Sequence, residues 1–191
     1  TSMKIKLLIS FQGVDSHMYR RKTTKIFFDK YQIILGGQQQ SCQDFISTGD
    51  GAGVTGGKWS CNHPTGKPYY FSDDRNDFDT VRAECQALPP FNGRPFDVVV
   101  IETKEELDFI VNNPKYTDMD RYIGLTAETL SNPAVPSDFK WINGAPLTLD
   151  IFFDDLPSFS DSVPRCVELD RSPIKLQPQS CGFNENVICE V

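Results

Sequence analysis

Trp141-Ile142-Asn143-Gly144, Cys166-Val167-Glu168-Leu169, Cys181 and Ile188-Cys189-Glu190 punctuate the last quarter of the chain, and the reading of this stretch decides the fold. Asn-Gly favours the positive φ angles of a tight hairpin turn, so Phe139-Lys140-Trp141 reads as a strand that turns at Ile142-Asn143-Gly144. Residues 166–169 and 187–190 read as two more short strands. Between the turn and the first of them, residues 150–165 are irregular.

Upstream the texture alternates. Tyr69-Tyr70-Phe71-Ser72 is a short aromatic strand. Phe78, Val81, Cys85 and Leu88 have helical spacing, Asp77 is the natural cap, and Pro89-Pro90 stops the run, so a first helix is predicted at about 77–88. Asp97-Val98-Val99-Val100-Ile101 reads as a buried strand. Thr103-Lys104-Glu105-Glu106 has capping-box spacing, with Glu106 reaching back to the cap. Leu107, Ile110 and Val111 then form the apolar stripe of a second helix at about 104–112. Arg121-Tyr122-Ile123-Gly124-Leu125-Thr126 is a strand. Helices followed by a run of short strands are α+β logic rather than a doubly wound sheet.

The first 58 residues differ in kind. They hold 8 Lys and Arg against 4 Asp and Glu, a net of +4, whereas residues 59–191 hold 11 against 22, a net of −11. Residues 4–11 and 25–35 are apolar, strand-like runs joined by the basic Arg20-Arg21-Lys22. Residues 3–9 resemble the start of a signal peptide but are too short, and read as a first strand. Residues 36–58 contain seven glycines in 23 positions and read as a linker that forms neither helix nor good strand. Two parts are therefore expected: an N-terminal strand-rich extension and linker, 1–58, and a domain, 59–191. No run of 18 apolar residues is present, so no membrane span is expected, and the net charge of −7 argues against a nucleic-acid partner. Six cysteines without a Cys-x-x-Cys pair, beside only two histidines, argue for three disulfides in an oxidising compartment and against zinc, so a secreted or extracellular protein is expected.

From residue 59 onward the ordered set resembles a C-type lectin-like domain. The pieces that carry the resemblance are the 69–72 strand, the helix with Cys85, the second helix, Tyr122-Ile123-Gly124-Leu125, Trp141-Ile142-Asn143-Gly144, and Cys166, Cys181 and Cys189. The resemblance implies an α+β fold with two helices, short antiparallel strands and a long loop region. It also implies the disulfides Cys85–Cys189 and Cys166–Cys181. Cys42 and Cys61 are then left to pair with each other, as in relatives with an additional N-terminal hairpin. In those relatives the second cysteine directly precedes the aromatic strand, where this chain has Pro68.

Sugar-binding relatives hold Ca²⁺ with a Glu/Gln-Pro-Asn/Asp triplet in the long loop and a Trp-Asn-Asp triplet before the third conserved cysteine, because Ca²⁺ needs about six to eight hard oxygens. Here the first position reads Leu156-Pro157-Ser158 and the second Leu176-Gln177-Pro178. Glu168 lies on a strand that non-binding relatives also keep. No metal and no cofactor is expected. The long loop instead offers Phe153, Leu156 and Phe159 beside Asp154 and Asp155, an apolar patch with an acidic rim that suits a protein partner. Phe152 falls where relatives place a core Trp. Neither His17 nor His63 has a nucleophile motif beside it, so no catalysis is expected, and His63, next to Pro64, is expected at the surface. The expected function is a non-enzymatic recognition or assembly module that binds a protein partner, or self-associates through residues 1–35, without calcium. The alternatives are a calcium-independent carbohydrate binder and a structural component of an extracellular matrix or filament.

Overall fold

The computed structural model describes residues 39–61, 63–116, 120–131, 135–147, 163–171 and 174–191. The two strand-like runs of residues 1–35 lie outside them. The chain divides into two compact units, and the second, residues 40–191, is the one described. Its elements are α1 (Cys42–Ser47), a 3-10 turn (Asp50–Gly53), β1 (Gly57–Ser60), β2 (Tyr69–Ser72), α2 (Phe78–Ala87), β3 (Asp97–Val98), α3 (Lys104–Val111), β4 (Arg121–Ala127), β5 (Lys140–Trp141), β6 (Arg165–Arg171), β7 (Ile174–Ser180) and β8 (Asn186–Glu190).

The strands form one sheet in the order β1-β2-β8-β4-β6-β7, with β3 also on β8 and β5 also on β4. The β4–β8 pair is parallel, with Arg121 opposite Asn186, and the other pairs are antiparallel. The last strand in sequence is thus central in space, flanked by β2, β3 and β4. All five of its residues are buried, the polar Asn186 and Glu190 at its two ends included.

Caps set both main helices. The Asp77 side chain accepts from Thr80 N–H at 3.0 Å and starts α2, whose Phe78, Val81 and Cys85 face the core. The Thr103 hydroxyl accepts from Glu106 N–H at 3.1 Å and starts α3. Glu106 reaches back as expected but one residue further, taking Glu102 N–H at 2.9 Å rather than the N–H of the cap itself. Leu107, Ile110 and Val111 bury the apolar stripe of α3.

The turn after β5 is a three-residue hairpin. Gly144 N–H donates to Trp141 O at 2.8 Å and Trp141 N–H to Ala145 O at 3.0 Å. Only Gly144 has positive φ, 83°, while Asn143 does not, so this is a turn closed by a left-handed glycine rather than a two-residue turn with both centres left-handed. Gly124 serves a different need. Its N–H donates to Val99 O at 2.7 Å, and a Cβ there would lie 2.9 Å from that oxygen and 3.0 Å from Ile142 Cγ1. Residues 99 and 142 both press on β4 at this point.

Three expectations require correction. Residues 36–58 are not without a helix: α1 occupies 42–47, capped by Ser41, and packs Phe45 into the core with no exposure. The glycines flank this run and none falls inside it. The ring of Phe45 meets Trp59 and Phe91 edge-on at 5.3 Å and stacks with Phe96 at 6.1 Å. Second, β7 occupies 174–180, a span to which the sequence assigned no element. Its Pro178, opposite Val167, is tolerated because β7 is the edge of the sheet, where one N–H has no neighbour to serve. Third, His63 is buried, with its ring edge-on to Tyr69 at 5.6 Å and to Phe109 at 5.1 Å. Thr65 N–H donates to its Nδ1 at 3.4 Å, and burial lowers its pKa.

Beside His63 lies a buried polar knot that ties four segments together. Lys67 Nζ donates to Glu190 of β8 and pairs with Glu106 of α3 at 3.3 Å. Tyr69 OH donates to Glu106, and Val100 N–H donates to Glu190 at 2.8 Å. Burial, then the Glu106 charge, pushes Glu190 up to about 7 against the opposing pull of Lys67. Burial also works to raise Glu106, but the Tyr69 hydroxyl, the Glu102 N–H and Lys67 outweigh it and hold Glu106 low.

Candidate functional site

The β6–β7 hairpin is where the binding chemistry of such a scaffold would be assembled. Its seven pairs run from Arg165 opposite Ser180 to Arg171 opposite Ile174. The disulfide Cys166–Cys181, with Cα atoms 4.9 Å apart, closes its base. Alternation along β7 decides which side chains are available. Leu176 is 5 % exposed and belongs to the main core with Val167 and Leu169, Gln177 faces solvent, and Pro178 is buried. On β6, Glu168 pairs with Gln177 across the hairpin and is itself buried, accepting a hydrogen bond from Gln179.

Glu168 sits among like charges. Burial comes first, then the charges of Asp120, Glu185 and Asp170, and together they push its carboxyl up to about 8. Asp120 is raised by burial and by Asp170. Among the described residues no three His, Cys, Asp or Glu side chains are grouped so as to hold a metal ion.

The other disulfides join Cys85 of α2 to Cys189 of β8, Cα atoms 5.5 Å apart, and Cys42 of α1 to Cys61, 5.6 Å apart. Phe153, Leu156 and Phe159, the patch expected to bind a partner, lie outside the described residues, as do Leu156-Pro157-Ser158 as a candidate ligand triplet.

A family model described as "Lectin C-type domain" matches residues 75–191. The chain belongs to the C-type lectin domain family. Solved C-type lectin folds superpose on it: the mouse scavenger receptor C-type lectin carbohydrate-recognition domain (TM-score 0.54, 24 % identity, 70 % of this chain and 92 % of that one). TC14, a C-type lectin from the tunicate Polyandrocarpa misakiensis, does so with a TM-score of 0.51 at 22 % identity, over 64 % of this chain and 95 % of that one. Human lithostathine follows at 0.52 and 20 %, over 72 % and 97 %. At these identities the likeness is one of fold.

The calcium of sugar-binding C-type lectins does not fit the described half of this site. Where the family's Trp-Asn-Asp stands, this C-type lectin domain has one buried hydrocarbon (Leu176), one exposed amide (Gln177) and one buried ring without a side-chain oxygen (Pro178). A single amide oxygen falls far short of a Ca²⁺ shell of about six to eight oxygens. Sequence reasoning located this segment. It did not anticipate the acidic group around Glu168, because Asp120, Asp170 and Glu185 are brought together by β4, β6 and the start of β8 from three distant points of the chain.

Proposed function

We propose that this chain is an extracellular, non-enzymatic recognition module that binds a protein partner without calcium. The observation that carries the reading is Pro178, a buried ring that brings no side-chain oxygen to the position of the family's Asp ligand. Three disulfides support an oxidising compartment, and no helix among the described residues is long and apolar enough to cross a membrane. His63, the one histidine among the described residues, supports binding over catalysis: its ring is packed between aromatic neighbours with Nδ1 engaged. A glycan screen run with Ca²⁺ and again with EDTA tests the reading. No chelation-sensitive sugar binding is expected, and sugar binding abolished by EDTA overturns it.

A polar groove of about 400 Å³ favours a second reading, calcium-independent glycan binding. Thr126, Glu128, Thr129 and Lys140 line it and offer both donors and acceptors to hydroxyl groups. Sugar binding that survives EDTA and is lost in Glu128→Gln with Lys140→Met selects this reading over the first.

A further inference from the structure

A second groove, of about 280 Å³, is lined by the C-terminal end of α2 and by β2. Its walls are apolar: the Tyr70 ring, Leu88 and the buried Cys85–Cys189 disulfide. Two carboxylates, Asp74 and Glu84, line the same groove. Asp74 is exposed and Glu84 half-buried. Glu84 accepts only from the neutral Asn76 amide, at 2.9 Å, and no described cation pairs with either group. The adjacent Asp73, by contrast, already faces Lys58 at 3.6 Å and the buried Arg121 at 3.9 Å. The local field is negative: burial, then Asp74, Asp73 and Glu84, push the Tyr70 phenol up to about 12.

An apolar wall beneath two carboxylates that no described cation neutralises matches one kind of side chain. Lysine and arginine carry an apolar stem that lies along hydrocarbon and a charged head that seeks carboxylate. The volume is below that usual for a drug-sized ligand, about 300–1,000 Å³, and suits one or two side chains rather than a cofactor. The domain that presents the groove is itself acidic, with a net of −11 over residues 59–191, which favours a basic partner over long range.

We infer that the groove between α2 and β2 is a docking site for a basic, amphipathic segment of a protein partner, with Asp74 and Glu84 receiving a lysine or arginine head. This rests on the protein-recognition reading above and adds to it the surface and the charge of the partner.

The test uses the full chain and an acetylated, amidated hexapeptide of alternating leucine and arginine, with a leucine–glutamate hexapeptide as its opposite. Binding is followed by fluorescence anisotropy, and the groove by the amide NMR signals of Leu88 and Val187. The basic peptide is expected to bind at least about tenfold more tightly than the acidic one, to shift both signals, and to weaken as salt rises. Asp74→Asn with Glu84→Gln, both side chains reaching solvent, is expected to cost about tenfold in affinity. Glu105→Gln with Asp108→Asn removes the same charge from exposed positions of α3 and is expected to leave binding unchanged. Equal weakening by both double variants, or unshifted Leu88 and Val187 signals, overturns the groove while leaving protein recognition standing. Absence of binding to either peptide together with EDTA-sensitive sugar binding overturns the underlying reading as well.

Discussion

Glu168 is a carboxyl group held where ionisation is costly. Its side chain is buried on β6, it accepts from the neutral Gln179 amide, and its charged neighbours named by proximity are Asp120, Glu185 and Asp170. Its folded value is raised from the ordinary 4.5 to about 8. The native state therefore holds the Glu168 proton more tightly than the unfolded chain does, and stability from this residue is full below about 4.5 and lost as pH rises toward about 8. Glu168→Gln keeps the shape and an amide in place of the protonated acid. In urea titrations from acid to mildly alkaline pH, the two proteins are expected to match at the acid end. The variant should then gain on the wild type with rising pH, by on the order of a few kcal/mol, and level off above about pH 8. A difference that does not change with pH would refute the assignment. Glu190 titrates in the same direction near 7, so the quantity to read is the difference between the proteins and not the wild-type slope alone.

Elements differ in how openly the residues declare them. α2 and α3 could be read to within a residue or so because three local signals agree in each: a capping side chain, an apolar stripe at helical spacing, and a terminating Pro89-Pro90 or Asn112-Asn113-Pro114. α1 was hidden by composition. Seven glycines nearby outweighed the six-residue run Cys42–Ser47, although Ser41 is a proper cap, with its hydroxyl accepting from Asp44 N–H at 3.1 Å. So short a helix has little stability of its own and is held by what it touches. What it touches is legible only in three dimensions: Trp59, Phe91 and Phe96 around Phe45, and the Cys42–Cys61 disulfide. β7 was hidden for the opposite reason, since Pro178 argues against a strand unless the strand is known to be an edge. Phe45→Ala is the test at this scale. It removes a fully buried ring from an aromatic cluster and is expected to cost about 3–5 kcal/mol in chemical denaturation, as much as a ring from the domain centre. A loss under about 1 kcal/mol, the size typical of surface changes, would mean that α1 is an appendage and that residues 40–58 are a linker after all.

The described unit, residues 40–191, is organised around β8. It is last in sequence, lies between β2 and β4, and carries the Cys189 sulfur that reaches back 104 residues to α2. That placement explains why the end of the chain could reveal the fold: the final strand and its cysteine make sense only if an earlier helix and an earlier strand are waiting on either side. The candidate site was legible to the same degree on β7, where Pro178 lacks a side-chain oxygen by residue type alone, and not around Glu168, which requires the sheet to be assembled. The two disulfides on this frame do different work. Cys166–Cys181 spans 15 residues already joined by a seven-pair hairpin, whereas Cys85–Cys189 closes most of the domain. Because a cross-link removes more freedom from the unfolded chain the longer its loop, the long one is expected to contribute about 4.7 kcal/mol and the short one about 3 kcal/mol. Replacement of Cys85 and Cys189 together by alanine should therefore lower stability more than replacement of Cys166 and Cys181, by about 2 kcal/mol, in guanidinium unfolding without reductant. The long-loop variant should also show the larger m-value, since its unfolded chain is free to expand over the greater length. All four sulfur-bearing residues but Cys181 are buried, so the cavity left behind adds to both losses and does not by itself produce the ranking. Equal losses with unchanged m-values would show instead that the disulfides act through packing in the folded core, and that β8 is held by its three neighbouring strands without need of the covalent link.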